Sequence, residues 1–303
     1  MRVTHRGYLR ATQVGFLALY AIIITGSLVR LTGSGLGCAD WPKCSESKFV
    51  DVSTGHAAIE QINRLFTGFV AAAVIACVLL SLRLMPRRRD LIGMSVVLVV
   101  GVLAQVLIGA VVVLTGLNPY SNIAHFIVSI FLISVAYMLV QHAKIFRTVE
   151  NTEPRGEPVI SDLRLQTLIK GLLFTTGCAV VTGTIVTGSG PHAGDENAVR
   201  IGLAMTSIVK VHSAAVWLTV LILLFTFITV RKSRIARDLV GQPLVIFTIV
   251  LGFQAILGYS QYFLGVPVLL VAIHVALSVL VWLGALNVYW NSRLSAIPKS
   301  VLD

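Results

Sequence analysis

The chain has 303 residues, of which 56% are hydrophobic and only 12% are charged, and its mean hydropathy is +0.88. This composition excludes a soluble domain of such length and predicts a protein embedded in a bilayer. Membrane topology and contact with anionic lipid explain the net charge of +11, so the charge gives no reason to expect nucleic-acid binding.

Eight apolar stretches each reach the roughly 20 residues needed to cross a bilayer. In chain order they cover residues 12–31, 59–82, 91–114, 122–143, 166–187, 203–229, 243–263 and 269–290. Long stretches that tolerate glycine predict helices rather than barrel strands. The predicted fold is an all-α membrane protein with eight transmembrane helices. The first stretch is too long for a signal-peptide core, so we expect it to remain as the first helix.

Basic residues lie mostly on one side of this arrangement. They precede the first helix and follow the even-numbered ones, at Arg2, Arg6, Arg10, Arg83, Arg87, Arg88, Arg89, Lys144, Arg147, Arg155, Arg164, Arg231, Lys232, Arg234, Arg237, Arg293 and Lys299. The opposite loops carry only Lys43, Lys48 and Arg200. The positive-inside rule therefore predicts a multi-pass protein of the cell (plasma) membrane with both termini cytoplasmic.

A spaced pattern of Gln, Gly, Gly and His occurs twice in the chain. The first copy is Gln105, Gly109, Gly116 and His125, and the second, 149 residues later, is Gln254, Gly258, Gly265 and His274. The segments that begin at Thr25 and Thr182 also resemble each other. We therefore predict two pseudo-symmetric four-helix halves, at residues 1–155 and 156–303.

Histidines inside apolar helices are rare, because an imidazole in hydrocarbon needs a partner, and heme iron fits best. A four-helix bundle with inward histidines on its second and fourth helices can hold iron from both faces. His212 and His274 form such a pair. Adding 149 to position 63 gives 212, so Asn63 occupies the corresponding slot opposite His125. One iron position there is open or weakly held, or His56 replaces the missing ligand. These sites lie toward the predicted outer face.

Three polar residues share one face near the start of the second helix. Glu60, Asn63 and Arg64 stand at positions i, i+3 and i+4. One interpretation is an interfacial ion pair that trims the helix end. The other is that Glu60 lines a heme site while Arg64 meets a heme propionate.

The four cysteines divide into a close pair and two isolated residues. Cys38 and Cys44 lie in the first outer loop, where an oxidising environment favours a disulfide bond. The bond is either a structural staple or a redox-active pair. Cys77 and Cys178 lie within helices and are typical of packing residues.

Five segments, in order along the chain, resemble those of the heme A synthase family. They are Gly37-Cys38-Ala39-Asp40-Trp41-Pro42-Lys43-Cys44, Ile59-Glu60-Gln61-Ile62-Asn63-Arg64-Leu65, Leu114-Thr115-Gly116-Leu117-Asn118-Pro119, Thr187-Gly188-Ser189-Gly190-Pro191-His192-Ala193-Gly194-Asp195 and Gly258-Tyr259-Ser260-Gln261-Tyr262. The resemblance implies an eight-helix enzyme that oxidises the C8 methyl of heme O to the formyl of heme A for cytochrome oxidase.

By this resemblance the first half holds heme O, with Glu60, Asn63 and His125 in catalysis, and the second half holds heme b. A heme O synthase is the expected partner, beside an unidentified electron acceptor. The family's helix-2 motif is Glu-x-x-His-Arg. Asn63 stands in the histidine position, as in an actinobacterial-type variant, and the second-outer-loop cysteine pair of some members is missing.

Two other functional classes are compatible with parts of the pattern. A non-catalytic di-heme cytochrome for electron transfer would need the same histidines, but Asn63 disfavours bis-histidine ligation in both halves. A membrane thiol-quinone oxidoreductase would use Cys38 and Cys44, but it would need a second reactive pair and would leave the histidine repeat unexplained.

Overall fold

The computed structural model describes residues 3–149 and 160–293. Those residues contain eight helices and no strands. The helices are α1 (His5–Leu31), α2 (Gly55–Ser81), α3 (Arg89–Leu114), α4 (Pro119–Val149), α5 (Leu163–Ser189), α6 (Met205–Arg231), α7 (Arg234–Phe263) and α8 (Val268–Ser292). All eight are long and apolar enough to cross a membrane. The predicted all-α membrane fold is confirmed.

Helices α1 and α7 begin earlier than the apolar stretches predict. Their first residues follow Thr4 and Ser233, whose side chains accept hydrogen bonds from the backbone N–H groups of Gly7 and Ala236 at 3.1 and 3.2 Å. These caps satisfy N–H groups that have no partner inside the helix. Hydropathy marks only the lipid-embedded length, so the polar first turns fall outside it. Pro243, at the predicted start of the seventh stretch, lies inside α7.

The first four helices form one compact unit together with residues 187–202. Helix α1 packs against α2 and α4, and α3 packs against the same two helices, which closes a four-helix bundle. A buried hydrogen bond of 3.2 Å joins the Tyr8 hydroxyl to that of Ser95. Around it Leu91, Leu98 and Leu132 are fully buried. Residues 187–202, which the sequence assigns to the second half, therefore belong with the first bundle.

The second compact unit contains α5 up to Val186 and helices α6 to α8. Helix α7 packs against α6 and α8. The core is one cluster to which all four helices contribute, with Leu172, Leu223, Phe247 and Val288 among its buried members. The predicted boundary between halves at 155/156 lies outside the described residues, as do Arg2, Arg155 and Lys299 and the side chain of Arg147.

The same unusual turn occurs once in each unit. Helix α3 is followed by Gly116 and Leu117 with φ of 62° and 61°, and α7 by Gly265 and Val266 with φ of 76° and 62°. Glycine adopts this left-handed region without strain, whereas a leucine or a β-branched valine does so rarely. The same strained pair therefore precedes α4 and α8, the helices that carry His125 and His274.

Candidate functional site

The repeated glutamines tie each histidine-bearing helix to the helix before it. The Gln105 side-chain amide donates to the carbonyl oxygen of His125 at 3.0 Å, and the Gln254 amide donates to the carbonyl of His274 at the same distance. In each case the carbonyl of the histidine gains a side-chain partner from the preceding helix. The duplication of sequence is therefore also a duplication of contacts.

The first glycine of each repeat makes room for the histidine ring. A Cβ atom on Gly109 would lie 3.6 Å from Cε1 of His125, and one on Gly258 would lie 3.1 Å from Cε1 of His274. The rings lie directly against the neighbouring helix, and a larger residue in place of Gly258 would have to displace the His274 ring.

Both histidine rings carry an unpaired polar atom. Nδ1 of His125 and Nδ1 of His274 are buried with no hydrogen-bond partner among the described residues. Unpaired buried polar atoms are costly, above all in a membrane. No group of three or more His, Cys, Asp or Glu side chains in the described parts of the chain could hold a bare metal ion. A porphyrin supplies four of its iron's ligands itself, so these rings fit heme iron rather than an isolated ion.

His212, the second histidine considered in the second unit, has a hydrogen-bond partner at one ring nitrogen. Thr182 lies with its hydroxyl oxygen 3.2 Å from Nδ1 of His212, and the hydroxyl donates its single proton to the carbonyl of Cys178 at 2.8 Å. We infer that the hydroxyl accepts from His212 and that the proton of that ring is on Nδ1. Nε2 keeps its lone pair, the form in which a neutral imidazole binds iron. A Cβ on Gly183 would lie 3.2 Å from the His212 ring.

In the first unit, the corresponding contact joins Thr25 to Asn63, an amide in place of the imidazole of His212. The Thr25 hydroxyl donates to Oδ1 of Asn63 at 2.8 Å. A Cβ on Gly26 would meet no atom within 4 Å, because the asparagine is shorter than the imidazole of His212. The structure thus places Asn63 in the slot that the repeat predicts, with open space beside it.

Glu60 and Arg64 form an ion pair that holds the connection between α1 and α2. Arg64 donates to one carboxylate oxygen of Glu60 at 2.6 Å, and the backbone N–H of Cys38 donates to the other at 2.7 Å. The Nε–H of Arg64 donates to the same Glu60 oxygen at 3.0 Å, and its two NH2 groups also donate to the carbonyls of Cys38, Asp40 and Lys43, at 3.0 to 3.1 Å. In this structure, therefore, the pair anchors a loop. Breaking a buried pair of this kind costs about 3–5 kcal/mol.

The loop held by this pair contains the predicted disulfide. Cys38 and Cys44 are bonded to each other and are both buried. Cys77 is buried and Cys178 is partly buried, and both are free thiols, in agreement with their predicted packing role.

We expect the Cys38–Cys44 bond to form in the purified protein and to contribute about 2–4 kcal/mol to its stability. Because both sulfurs are buried, labelling must follow unfolding in detergent. Mass spectrometry should then show two alkylated cysteines without reductant, Cys77 and Cys178, and four after reduction. Four labelled cysteines before reduction would contradict the bond.

His56 lies in the first turn of α2, where its Nδ1 is 2.9 Å from the Ser34 hydroxyl. A Cβ on Gly37 would overlap the His56 backbone, so the loop lies directly against it. Seven residues separate His56 from Asn63, which is about 10 Å along a helix at roughly 1.5 Å per residue. This separation disfavours His56 as a substitute ligand in the Asn63 slot.

Sequence reasoning missed the contacts of Arg30, which joins the 187–202 segment to the first bundle. Its guanidinium donates to the carbonyls of His192 and Thr187 at 2.8 and 2.9 Å. The N–H of Gly35 also donates to the carbonyl of Gly194 at 3.0 Å. A lone arginine at the end of an apolar helix was the available signal. Thr25 and Thr182 were also missed as partners of the slot residues, although the repeat contains both.

A family of known proteins shares most of these segments. Residues 10–194, more than half of the chain, match the COX15-CtaA family model, described as "Cytochrome oxidase assembly protein". The chain belongs to this family. The matched region contains the loop disulfide, the Glu60–Arg64 pair, the Asn63 slot and His125, and ends within the segment that Arg30 holds. The predicted family resemblance is confirmed.

Individual relatives carry a more specific name. The chain is 31% identical over 171 residues to the "Heme A synthase" of Geobacillus thermodenitrificans, which covers 56% of this chain and 53% of the relative. It is 32% identical over 167 residues to that of Bacillus pumilus, covering 54% and 53%. For Listeria monocytogenes the values are 30% over 173 residues, 56% and 55%. The chain thus spans about half the length of the relatives that it matches.

Proposed function

We propose that this chain is an oxidoreductase that converts heme O to heme A, with the substrate heme in the first unit and heme b in the second. The observation that carries the proposal is the duplicated histidine contact set, in which one unit has two histidines and the other has His125 with Asn63. The name printed for the relatives supports the choice of substrate.

The second unit fits a resident heme b held from both faces. His212 presents an unprotonated Nε2, and His274 is buried with a ring nitrogen that lacks a protein partner. Heme b, when bound, supplies one-electron transfer. The Thr182 hydroxyl fixes the tautomer of His212, and the Gln254 amide fixes the position of the helix that carries His274.

In the first unit, the proposed substrate iron has one protein ligand. His125 supplies a ring nitrogen, whereas the one coordinating atom of Asn63, Oδ1, already accepts the Thr25 proton. Oxidation of the C8 methyl to a formyl takes up the oxygen of one water and releases four electrons and four protons. No side chain performs this redox chemistry, so the electrons pass to an acceptor that remains a required partner.

Glu60 and Arg64 lie on the same face of α2 as Asn63, and we place them at the border of the substrate site. The negative charge of Glu60 would stabilise positive charge that develops near the methyl, or its carboxylate would handle a proton there. Arg64 would bind a heme propionate only by giving up some of its present loop carbonyls. These proposed roles are additional to the anchoring of the loop by the Glu60–Arg64 pair.

The proposed setting is the plasma membrane, with both heme sites toward the outer face and both termini in the cytoplasm. Within this scheme a heme O synthase delivers the substrate, and the product serves cytochrome oxidase. The distribution of basic residues supports the orientation, and the eight apolar helices support insertion in the membrane.

Mass analysis of hemes extracted from the purified full chain tests the proposal. We expect heme b together with heme O or heme A. Heme b alone would instead favour a non-catalytic di-heme cytochrome, and no heme would favour a thiol-based oxidoreductase that uses Cys38 and Cys44.

A further inference from the structure

We propose that Thr25, Gly26 and Asn63 form a distal slot that admits a water-sized ligand to the substrate iron on the side opposite His125. Asn63 would donate a hydrogen bond to that ligand through its side-chain nitrogen. The inference rests on the proposed function, because it needs a heme in the first unit. It assigns a binding role to residues that heme ligation itself does not require.

The amide of Asn63 has its oxygen toward the Thr25 hydroxyl. Thr25 has two acceptors within reach, Oδ1 of Asn63 at 2.8 Å and the carbonyl of Ile22 at 3.4 Å. The shorter contact takes the proton, because hydrogen bonds weaken beyond about 3 Å. Oδ1 therefore lies toward Thr25, and the NH2 group, which has two donors and no acceptor, is the other polar end of the side chain. In the described chain that nitrogen makes no hydrogen bond.

The direction of the threonine contact reverses between the two units. Thr182 accepts a proton from His212, which frees a lone pair on that ring to bind iron. Thr25 donates to Oδ1 of Asn63, which turns that oxygen toward the threonine and leaves the NH2 donors free. The same threonine position thus supports a metal ligand in one unit and a hydrogen-bond donor in the other.

The size of the slot follows from the paired glycines. In the second unit the His212 ring fills the space against Gly183, at 3.2 Å from the position of a Cβ. In the first unit the matching Gly26 has nothing within 4 Å of that position. The open space beside Gly26 accompanies a side chain with fewer atoms than the imidazole of His212. A ligand of one or two heavy atoms would fit there beside the Asn63 donor.

Fluoride binding tests the slot, because this small anion binds ferric heme and accepts hydrogen bonds strongly. The full chain is loaded with ferric heme b at both sites and titrated with fluoride, while its absorption spectrum is recorded. The second site, with two histidine ligands, should not respond. We expect Asn63→Leu, which keeps the size but removes the donors, to weaken fluoride binding about tenfold, the value of one such hydrogen bond. Thr25→Val, which releases the amide, should weaken it by a smaller factor.

Thr226→Val is the matched control, since this buried threonine of the second unit donates to the carbonyl of Ile222 in its own helix, and its replacement should leave fluoride affinity unchanged. The low-spin spectrum of the second heme reports whether each variant is folded. A fluoride affinity that stays within twofold in Asn63→Leu, with two hemes bound, would overturn the slot and leave the proposed function intact. If the chain takes up a single heme and His125→Ala leaves that uptake unchanged, both the slot and the proposed function are wrong.

Discussion

Replacing either His212 or His274 with alanine is expected to abolish the low-spin heme b spectrum of the second unit. Each variant removes one of two axial ligands, so the iron becomes five-coordinate and high-spin or the heme is lost. The two rings belong to α6 and α8 and lie against Gly183 of α5 and Gly258 of α7, so the smaller alanine fits without steric cost. Absorption and electron paramagnetic resonance spectra of the purified variants measure the outcome.

His142→Ala is a suitable control for these variants. His142 is also a helical histidine, but its Nδ1 lies 3.1 Å from a carboxylate oxygen of Asp90, an ordinary polar partner. Its replacement should leave the low-spin signal intact. A wild-type low-spin spectrum in either His212→Ala or His274→Ala would refute the assignment of that histidine as an iron ligand.

His125→Ala is expected to eliminate heme A formation while heme b in the second unit remains. The variant removes the one protein ligand that we assign to the substrate iron, whereas His212 and His274, which we assign to heme b, are unchanged. Heme composition and the low-spin spectrum are measured on the same sample, so loss of folding is distinguished from loss of the substrate site. Continued production of heme A would contradict a role for His125 in substrate binding.

Asn63→His tests the same site by adding a ligand instead of removing one. The introduced imidazole would enter the space beside Gly26, as His212 lies beside Gly183. We expect the first site to gain a six-coordinate, low-spin iron and to lose most of its turnover, because the open position is filled. If Asn63→His changes nothing while His56→Ala removes a first-unit ligand signal, then His56 is the partner of His125 and the open position does not exist.

The periodicity and repeats of the sequence determined much of the fold and the candidate site. Long apolar stretches are sufficient to predict membrane helices, since every backbone group in lipid must be paired within the segment. The 149-residue offset predicts that Asn63 corresponds to His212, and the two residues make corresponding contacts with Thr25 and Thr182. Both inferences use the sequence alone and need no interatomic distance from the structure.

Tertiary structure decided which partner each polar residue has. Spacing alone placed Glu60 and Arg64 on one face but could not distinguish a heme contact from a loop anchor, because the loop carbonyls reach them only after the chain folds back. It also decided that Arg30 holds residues 187–202 on the first bundle, through contacts between positions more than 150 residues apart. Hydrogen bonds between distant segments leave no periodic signal in a sequence. The contacts of Thr25 with Asn63 and of Thr182 with His212 therefore became apparent only in the folded structure.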